Sequence, residues 1–296
     1  MTDHLLSELR AGAPAVAVHE LRRVLTSEQA ACLIGDDVAE MPASLTESGI
    51  YIDAETGDPV FAYLPMPRGA AELRRAVMAL HFTGTRRATG IANVSRMFGM
   101  APRKPFMRRE GCIATSMATD YPESHAVIVG LAPVFSEMVR SLLPAVALHD
   151  EQYVDQVLPE WRMTDDALWT SGVVNRSSTL PYHLDAANFP TWSVMPVVRR
   201  HMRGGYLSVP EYDIACACRD GWAVFFLGSS LVHGVTPMTP LRRDAYRYSV
   251  VYYALRGMKD CFTTAVEQRR ARTSRSSRED SMARVDDSID VSRAEA

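Results

Sequence analysis

Tyr182-His183-Leu184-Asp185, then Val232-His233-Gly234-Val235, then Arg247-Tyr248-Ser249-Val250-Val251: the reading of these three runs decides how the chain folds. In an extended strand alternate side chains share a face, so His183 and Asp185 project together and can grip one ion. His233 lies 48 positions beyond Asp185 and joins them only if a folded sheet brings the chain back. Two imidazoles and one carboxylate on one face of an octahedron suit Fe(II), because three coordination positions stay open. Arg247 follows His233 by 14 residues in a run that alternates like a strand, and is a candidate fork for a carboxylate. A lone His-x-Asp pair is a weak signal. The ordered set of His-x-Asp, a later His-Gly behind an apolar strand, and Arg-x-Ser on a further strand is a stronger one.

Outward from these runs, the pattern becomes β-like at Trp169. Short strands are expected over 169–174, 192–198, 205–209, 214–218, 222–227, 231–235 and 246–255, with Gly and Pro turns between them. Such spacing predicts a jelly roll whose two sheets leave a mouth lined by alternating inward residues. Upstream, Thr26 or Ser27 caps a helix ended by Gly35, and residues 49–64 form a hairpin around Thr56-Gly57-Asp58-Pro59. Leu73, Ala76, Val77 and Leu80 make one stripe of a helix over 68–81. An apolar helix over 124–143 is kinked or broken by Pro133, and a further helix runs over 150–158. The expected class is α+β: a double-stranded β-helix, jelly-roll or cupin-like, with N-terminal helices packed on it. Residues 1–85 are expected to be a helical and hairpin region, 86–267 the jelly-roll domain, and 268–296 a disordered tail with too few apolar groups to offset ordering entropy.

The chain has 296 residues, 47% of them hydrophobic, enough for a full core without metal or disulfide. Its net charge of −3 gives no global attraction to nucleic acid. Charge is locally uneven: residues 86–109 hold seven basic residues and no acidic one. By itself such a segment reads as a solvated loop. The five cysteines, Cys32, Cys112, Cys216, Cys218 and Cys261, are odd in number and lack CxxC spacing. They predict neither a disulfide framework nor a structural zinc site, hence a reducing compartment. With no signal sequence and no apolar run near the roughly 18 residues of a membrane span, the expectation is an intracellular, cytoplasmic protein, of a kind a phage could carry into a bacterial host, without a membrane partner. Nothing in the sequence fixes its oligomeric state.

The same motifs resemble the Fe(II)/2-oxoglutarate-dependent dioxygenases, and more narrowly their TET/JBP branch. His183-Leu-Asp185-Ala-Ala-Asn188, the turn and strand Gly204-Gly205-Tyr206-Leu207-Ser208-Val209-Pro210-Glu211-Tyr212, Phe225-Phe226-Leu227-Gly228 ahead of His233-Gly234, and Arg247 to Tyr253 carry the resemblance. Ser95 to Gly99 with Pro102-Arg103 resembles the segment ahead of the barrel. The resemblance implies Fe(II) held by His183, Asp185 and His233 as the catalytic centre, with 2-oxoglutarate and O2 as co-substrates. It places the co-substrate's far carboxylate on Arg247 with Ser249; Arg243, ten residues after His233, is the other candidate. It implies oxidation of a 5-methylpyrimidine in methylated DNA after base flipping, 5-methylcytosine being favoured. Thymine in DNA, a small-molecule or amino-acid substrate, and a non-catalytic jelly roll remain as alternatives. Asn188 reads the base edge or caps the turn before Pro190; Tyr253 stacks on the base or fills the core. Beside such a site the basic segment becomes a phosphate-contacting surface, Arg96 and Arg103 first. Leu255 stands where animal members have a base-contacting His, which leaves the base open.

Overall fold

The computed structural model describes residues 16–82, 94–104 and 109–276. In chain order its strands are β1 (Val18–Leu21), β2 (Gly49–Asp53), β3 (Pro59–Pro65), β4 (Ser95–Ala101), β5 (Ile113–Ala114), β6 (Ser171–Arg176), β7 (Leu180–His183), β8 (Ser193–Arg200), β9 (Met202–Gly204), β10 (Leu207–Val209), β11 (Ile214–Cys216), β12 (Trp222–Phe226), β13 (His233–Val235), β14 (Met238–Pro240) and β15 (Tyr246–Tyr253). The helices are α1 (Ser27–Ala31), α2 (Ala70–Met78), α3 (Met117–Asp120), α4 (Pro122–Gly130), α5 (Ala132–Leu142), α6 (Pro144–Val154) and α7 (264–276).

Among the described residues, a nine-stranded sheet runs β1-β2-β3-β12-β8-β15-β6-β4-β5 and faces a four-stranded sheet ordered β11-β10-β13-β7. The two make the expected double-stranded β-helix. β15 shows how one strand serves two environments. Tyr248, Val250 and Tyr252 point outward into the core that α2, α4 and α5 build on the large sheet, with Leu73, Ile128, Phe135 and Val139. Arg247 and Ser249 point inward between the sheets, as strand alternation requires. Tyr252 is locked on the outer side by its hydroxyl, which donates to the Ile128 carbonyl at 2.8 Å, and by the edge of Phe98. A second core, with Val197, Leu207, Val224 and Phe226, fills the space between the sheets.

Local signals explain most boundaries. Thr26 caps α1 in a reciprocal capping box with Gln29. β2 and β3 pair as the expected hairpin. Leu73, Ala76 and Val77 are the buried stripe of α2, each large apolar side chain contributing roughly 1.5–3 kcal/mol. The apolar helix breaks at Leu131, with Pro133 in the first turn of α5, where the absence of an N–H costs nothing.

Several expectations are corrected. The hairpin of residues 1–85, expected to pack on the core, instead joins the large sheet edge to edge: β3 pairs directly with β12 and the sheet runs on through β2 to β1. Residues 95–101 of the basic segment form a strand rather than a loop, held on β6; Arg86, Arg87 and Arg108 lie outside the described residues. The helix expected over 150–158 starts earlier, because Pro144 opens α6. Residues 268–276 of the expected disordered tail belong instead to α7, anchored by Glu267, and 277–296 lie outside the described residues. Cys112 and Cys261 form a disulfide across 149 residues of chain, a pairing that sequence spacing could not signal, and the ground for inferring a reducing compartment falls with it. Pro122–Leu142 is 21 residues long with mean hydropathy 1.2, enough by length and composition to cross a membrane. Here Ile128, Leu131, Ala132, Phe135, Val139 and Leu142 pack it on the core.

Asp150 on α6 is fully buried, accepting from the Trp192 backbone N–H at 2.9 Å and lying 3.1 Å from His149 Nδ1. Burial pushes its carboxyl from 3.8 up to about 7, against the opposing pull of those two partners. A carboxyl raised in the fold binds protons more tightly there than in the unfolded chain, so stability is greatest below the unfolded value and falls as pH rises to about 7. Chemical denaturation at pH 5 and pH 8 should differ on the order of 3 kcal/mol in favour of pH 5 from this group. Asp150→Asn, which keeps an acceptor for Trp192, should flatten that dependence; an unchanged slope would disprove the assignment.

Candidate metal centre and its cavities

The antiparallel ladder of β7 and β13 sets His183 directly opposite His233, with ring centroids 4.3 Å apart. Asp185 follows β7, and its backbone N–H donates to the Gly228 carbonyl at 2.9 Å. A Cβ on residue 228 would stand 2.7 Å from Asp185 Oδ2, so the glycine that closes Phe-Phe-Leu-Gly makes room for the carboxylate. His183 Nε2 lies 3.7 Å from Asp185 Oδ1, and His233 Nε2 lies 3.9 Å from Oδ2. The three donor atoms fall within 4.8 Å of one another.

Both rings are oriented the same way. His183 Nδ1 donates to the Pro181 carbonyl at 2.9 Å and His233 Nδ1 to the Leu231 carbonyl at 2.8 Å. Each bond holds the proton on Nδ1 and leaves the Nε2 lone pair facing Asp185, the outer support a ligating imidazole needs. Burial, and then the neighbouring His183 ring, push His233 down to about 4, so it is neutral and able to ligate at physiological pH. The donor set and its orientation fit a divalent metal.

Arg247 is fully buried on the inner face of β15. Its Nη1 donates to Ser249 Oγ at 3.3 Å, while Nε and Nη2 have no partner. Burial lowers its pKa. Each unpaired buried donor costs roughly 1–3 kcal/mol, more when charged, so the position is built for an anion, and the residues fit the far carboxylate of 2-oxoglutarate. Gly205, at φ +67°, lets the arginine pass: a Cβ there would come 2.7 Å from Arg247 Cδ. Arg243 is exposed in the turn before β15 and is not brought to the site. Strand β14, paired with β9, occupies the chain between His233 and that turn, which is why the inward arginine comes late.

Two cavities meet at Asp185. The inner one, about 500 Å³, lies between the sheets and is lined by His183, His233 and Ser249 among apolar residues such as Leu207, Phe226 and Val251. The outer one, about 1070 Å³, is lined by Asn188, Leu255, Arg103, Lys104 and Arg109. Val173, Asp185 and Tyr253 line both. Tyr253 is half-buried at this junction, and Asn188 is buried in a bridge to Leu255, with its carbonyl accepting from Arg256 at 3.1 Å.

Arg103 lies on the outer wall but is already paired, Nη1 to Glu267 Oε1 at 2.6 Å. Arg96 is not brought to either cavity. Ser95 and Met97 face the outer cavity, so alternation along β4 turns Arg96 to the opposite side, where it bonds the His81 carbonyl and lies over Tyr121. Sequence reading missed Asn175 and Ser178 as lining residues, while Arg109, within the basic segment 86–109, lines the outer cavity. The period-two pattern of β6, which puts Val173 and Asn175 on one face, was a signal that could have found Asn175.

The fold and donor set are those of a double-stranded β-helix with a facial two-imidazole, one-carboxylate centre. No family model and no curated protein matches the chain. Among solved structures, NgTET1 in complex with 5mC DNA shares the fold at a TM-score of 0.57 and 16% identity, covering 88% of this chain and 92% of that one. An oxidoreductase of the 2OG-Fe(II) oxygenase family from Burkholderia pseudomallei aligns at a TM-score of 0.45 and 17% identity, over 81% of this chain and 96% of that one. At 16% identity the likeness to NgTET1 is one of fold.

Asp185→Ala should abolish tight binding of Fe(II) or Mn(II), measured by calorimetry, and shift Tm by less than about 3 °C, since the side chain is part-exposed and only the backbone N–H serves the fold. Metal binding at wild-type affinity would overturn the ligand assignment.

Proposed function

We propose that the protein is an Fe(II)- and 2-oxoglutarate-dependent dioxygenase that oxidises the 5-methyl group of a methylated pyrimidine in DNA, 5-methylcytosine before thymine. The observation that carries the reading is the conjunction of three convergent donors with a buried arginine, two of whose nitrogens lack a hydrogen-bond partner, in the same barrel. The iron and co-substrate supply the oxidising power for a C–H bond; the chain supplies binding, orientation and exclusion of water.

His183, Asp185 and His233 hold the metal. Arg247 and Ser249 take the far carboxylate of the co-substrate, a two-pronged, charge-assisted grip. The apolar wall of Leu207, Phe226 and Val251 keeps water from the metal face. A base inside a duplex cannot reach this depth and has to be flipped out. The outer cavity is large enough for a nucleotide and opens onto the inner one beside Asp185. Tyr253 at the junction offers a stacking face, and Asn188 an amide for the base edge, able to meet N4–H2 of cytosine or O4 of thymine by rotating. Arg109 and Lys104 face the phosphates. That NgTET1 was solved with 5mC DNA supports a DNA substrate for the shared fold.

Incubation of methylated duplex DNA with enzyme, Fe(II) and 2-oxoglutarate, followed by nucleoside mass spectrometry, should yield 5-hydroxymethylcytosine. Oxidised thymine instead would move the assignment to the other base. No oxidised base with turnover of free small acids would remove DNA as substrate. Binding to the duplex should weaken steeply between 50 and 200 mM salt, as counterion release requires.

A further inference from the structure

Asn175 sits on β6 within the inner cavity and is only 6% exposed. In the ladder it is the direct partner of Ser249 on β15. Directly opposite side chains stand roughly 4.5–5.5 Å apart at Cβ, so its carboxamide lies beside the hydroxyl that Arg247 bonds. The side chain makes no hydrogen bond with another described residue, and most of the inner wall around it is apolar: Val173, Leu180, Met195, Leu207 and Phe226. The amide is thus open to the cavity, where a ligand can reach it. A hydrophobic residue of similar size would fill the position at less cost if packing were its only task.

Ser249 and Asn175 thus stand side by side on the cavity wall, and Arg247 is buried next to them, its Nη1 on Ser249 Oγ and its Nε and Nη2 without a hydrogen-bond partner. A carboxylate has about four lone-pair sites, so it can accept from a guanidinium, a hydroxyl and an amide at once. We propose that Asn175 is a positioning residue for the co-substrate, its amide N–H donating to the far carboxylate of the 2-oxo diacid that Arg247 and Ser249 grip. The proposal rests on the co-substrate reading above. It adds a third side chain to that grip and selects a dicarboxylic 2-oxo acid over a monocarboxylic one, because the amide is satisfied only when the second carboxylate is present.

The test uses the full chain with Mn(II) in place of iron, so that binding is read without turnover. The affinities for 2-oxoglutarate and pyruvate are measured by calorimetry in the wild type, Asn175→Val, Asn175→Asp and Arg247→Gln. Asn175→Val should weaken 2-oxoglutarate about tenfold, the value of one hydrogen bond to a charged group, and leave pyruvate unchanged. Asn175→Asp sets a carboxylate against a carboxylate and should weaken 2-oxoglutarate further. Without ligand, Asn175→Val should not lower Tm, since the side chain makes no hydrogen bond within the described residues; a merely structural asparagine would lower it. Wild-type 2-oxoglutarate affinity in Asn175→Val, with Arg247→Gln impaired, overturns this inference and leaves the co-substrate site standing. Unchanged affinity in both variants, or no 2-oxoglutarate binding by the wild type, overturns the co-substrate reading and this inference with it.

Discussion

The register of β7 against β13 is the constraint on which the site depends. His183 and His233 occupy one rung of that ladder, and each ring is held through Nδ1 by the carbonyl two residues earlier in the chain. Because side chains alternate with period two, a slip of one residue would send one imidazole to the other face of the small sheet and dissolve the donor set. The register is secured by what lies around it. β13 is paired on its other edge by β10, and Tyr182 packs with Val38 and Val232 on the far side. Asp185 is then hung from the Gly228 carbonyl, so the third donor is placed by backbone rather than by side-chain packing.

The same economy operates on β15. One face carries Tyr248, Val250 and Tyr252 into the helix-covered core, and the other carries Arg247, Ser249, Val251 and Tyr253 towards the site. Burying a guanidinium without a full set of partners is unfavourable, and that strain is tolerated because the outward residues of the same strand are among the best packed in the molecule. Gly205 at positive φ belongs to the same arrangement, giving up a side chain so that the arginine can lie flat against the backbone. Site and core are coupled through a strand that neither could hold alone.

What could be read from the sequence follows from how local each signal is. His183, Asp185 and Gly228 announce themselves through short spacing, and the β-alternation of 246–253 correctly sets Arg247 inward. The choice between Arg247 and Arg243 could not be made from counting, because it depends on the β9–β14 ribbon, whose strands are three residues long and leave no pattern. Arg96 faces away from the site because residues 95–101 are a strand and not a loop, and alternate residues of a strand face opposite ways. The merging of β1 to β3 with the large sheet rests on pairing between β3 and β12, far apart in sequence, as does the bond between Cys112 and Cys261. Long-range pairing is invisible to composition and period.

The electrostatics of the outer cavity follow from one buried carboxylate. Glu267 is 1% exposed and accepts from Arg103, from the Phe262 N–H at 2.7 Å and from the Cys112 N–H at 3.0 Å. It therefore ties α7, the disulfide-linked segments and the basic wall into one unit. The ion pair also spends the charge of Arg103, whose plane is further covered by Phe262. Arg103 is thus a fixed strut of the wall. Arg109 and Lys104 form no ion pair among the described residues, and Arg109 Nε is buried without a partner. With a net charge of −3 on the whole chain, attraction for a polyanion has to be local and short in range. Among the described residues of the outer wall, these two carry positive charge outside any ion pair, in the cavity that Asp185 also lines.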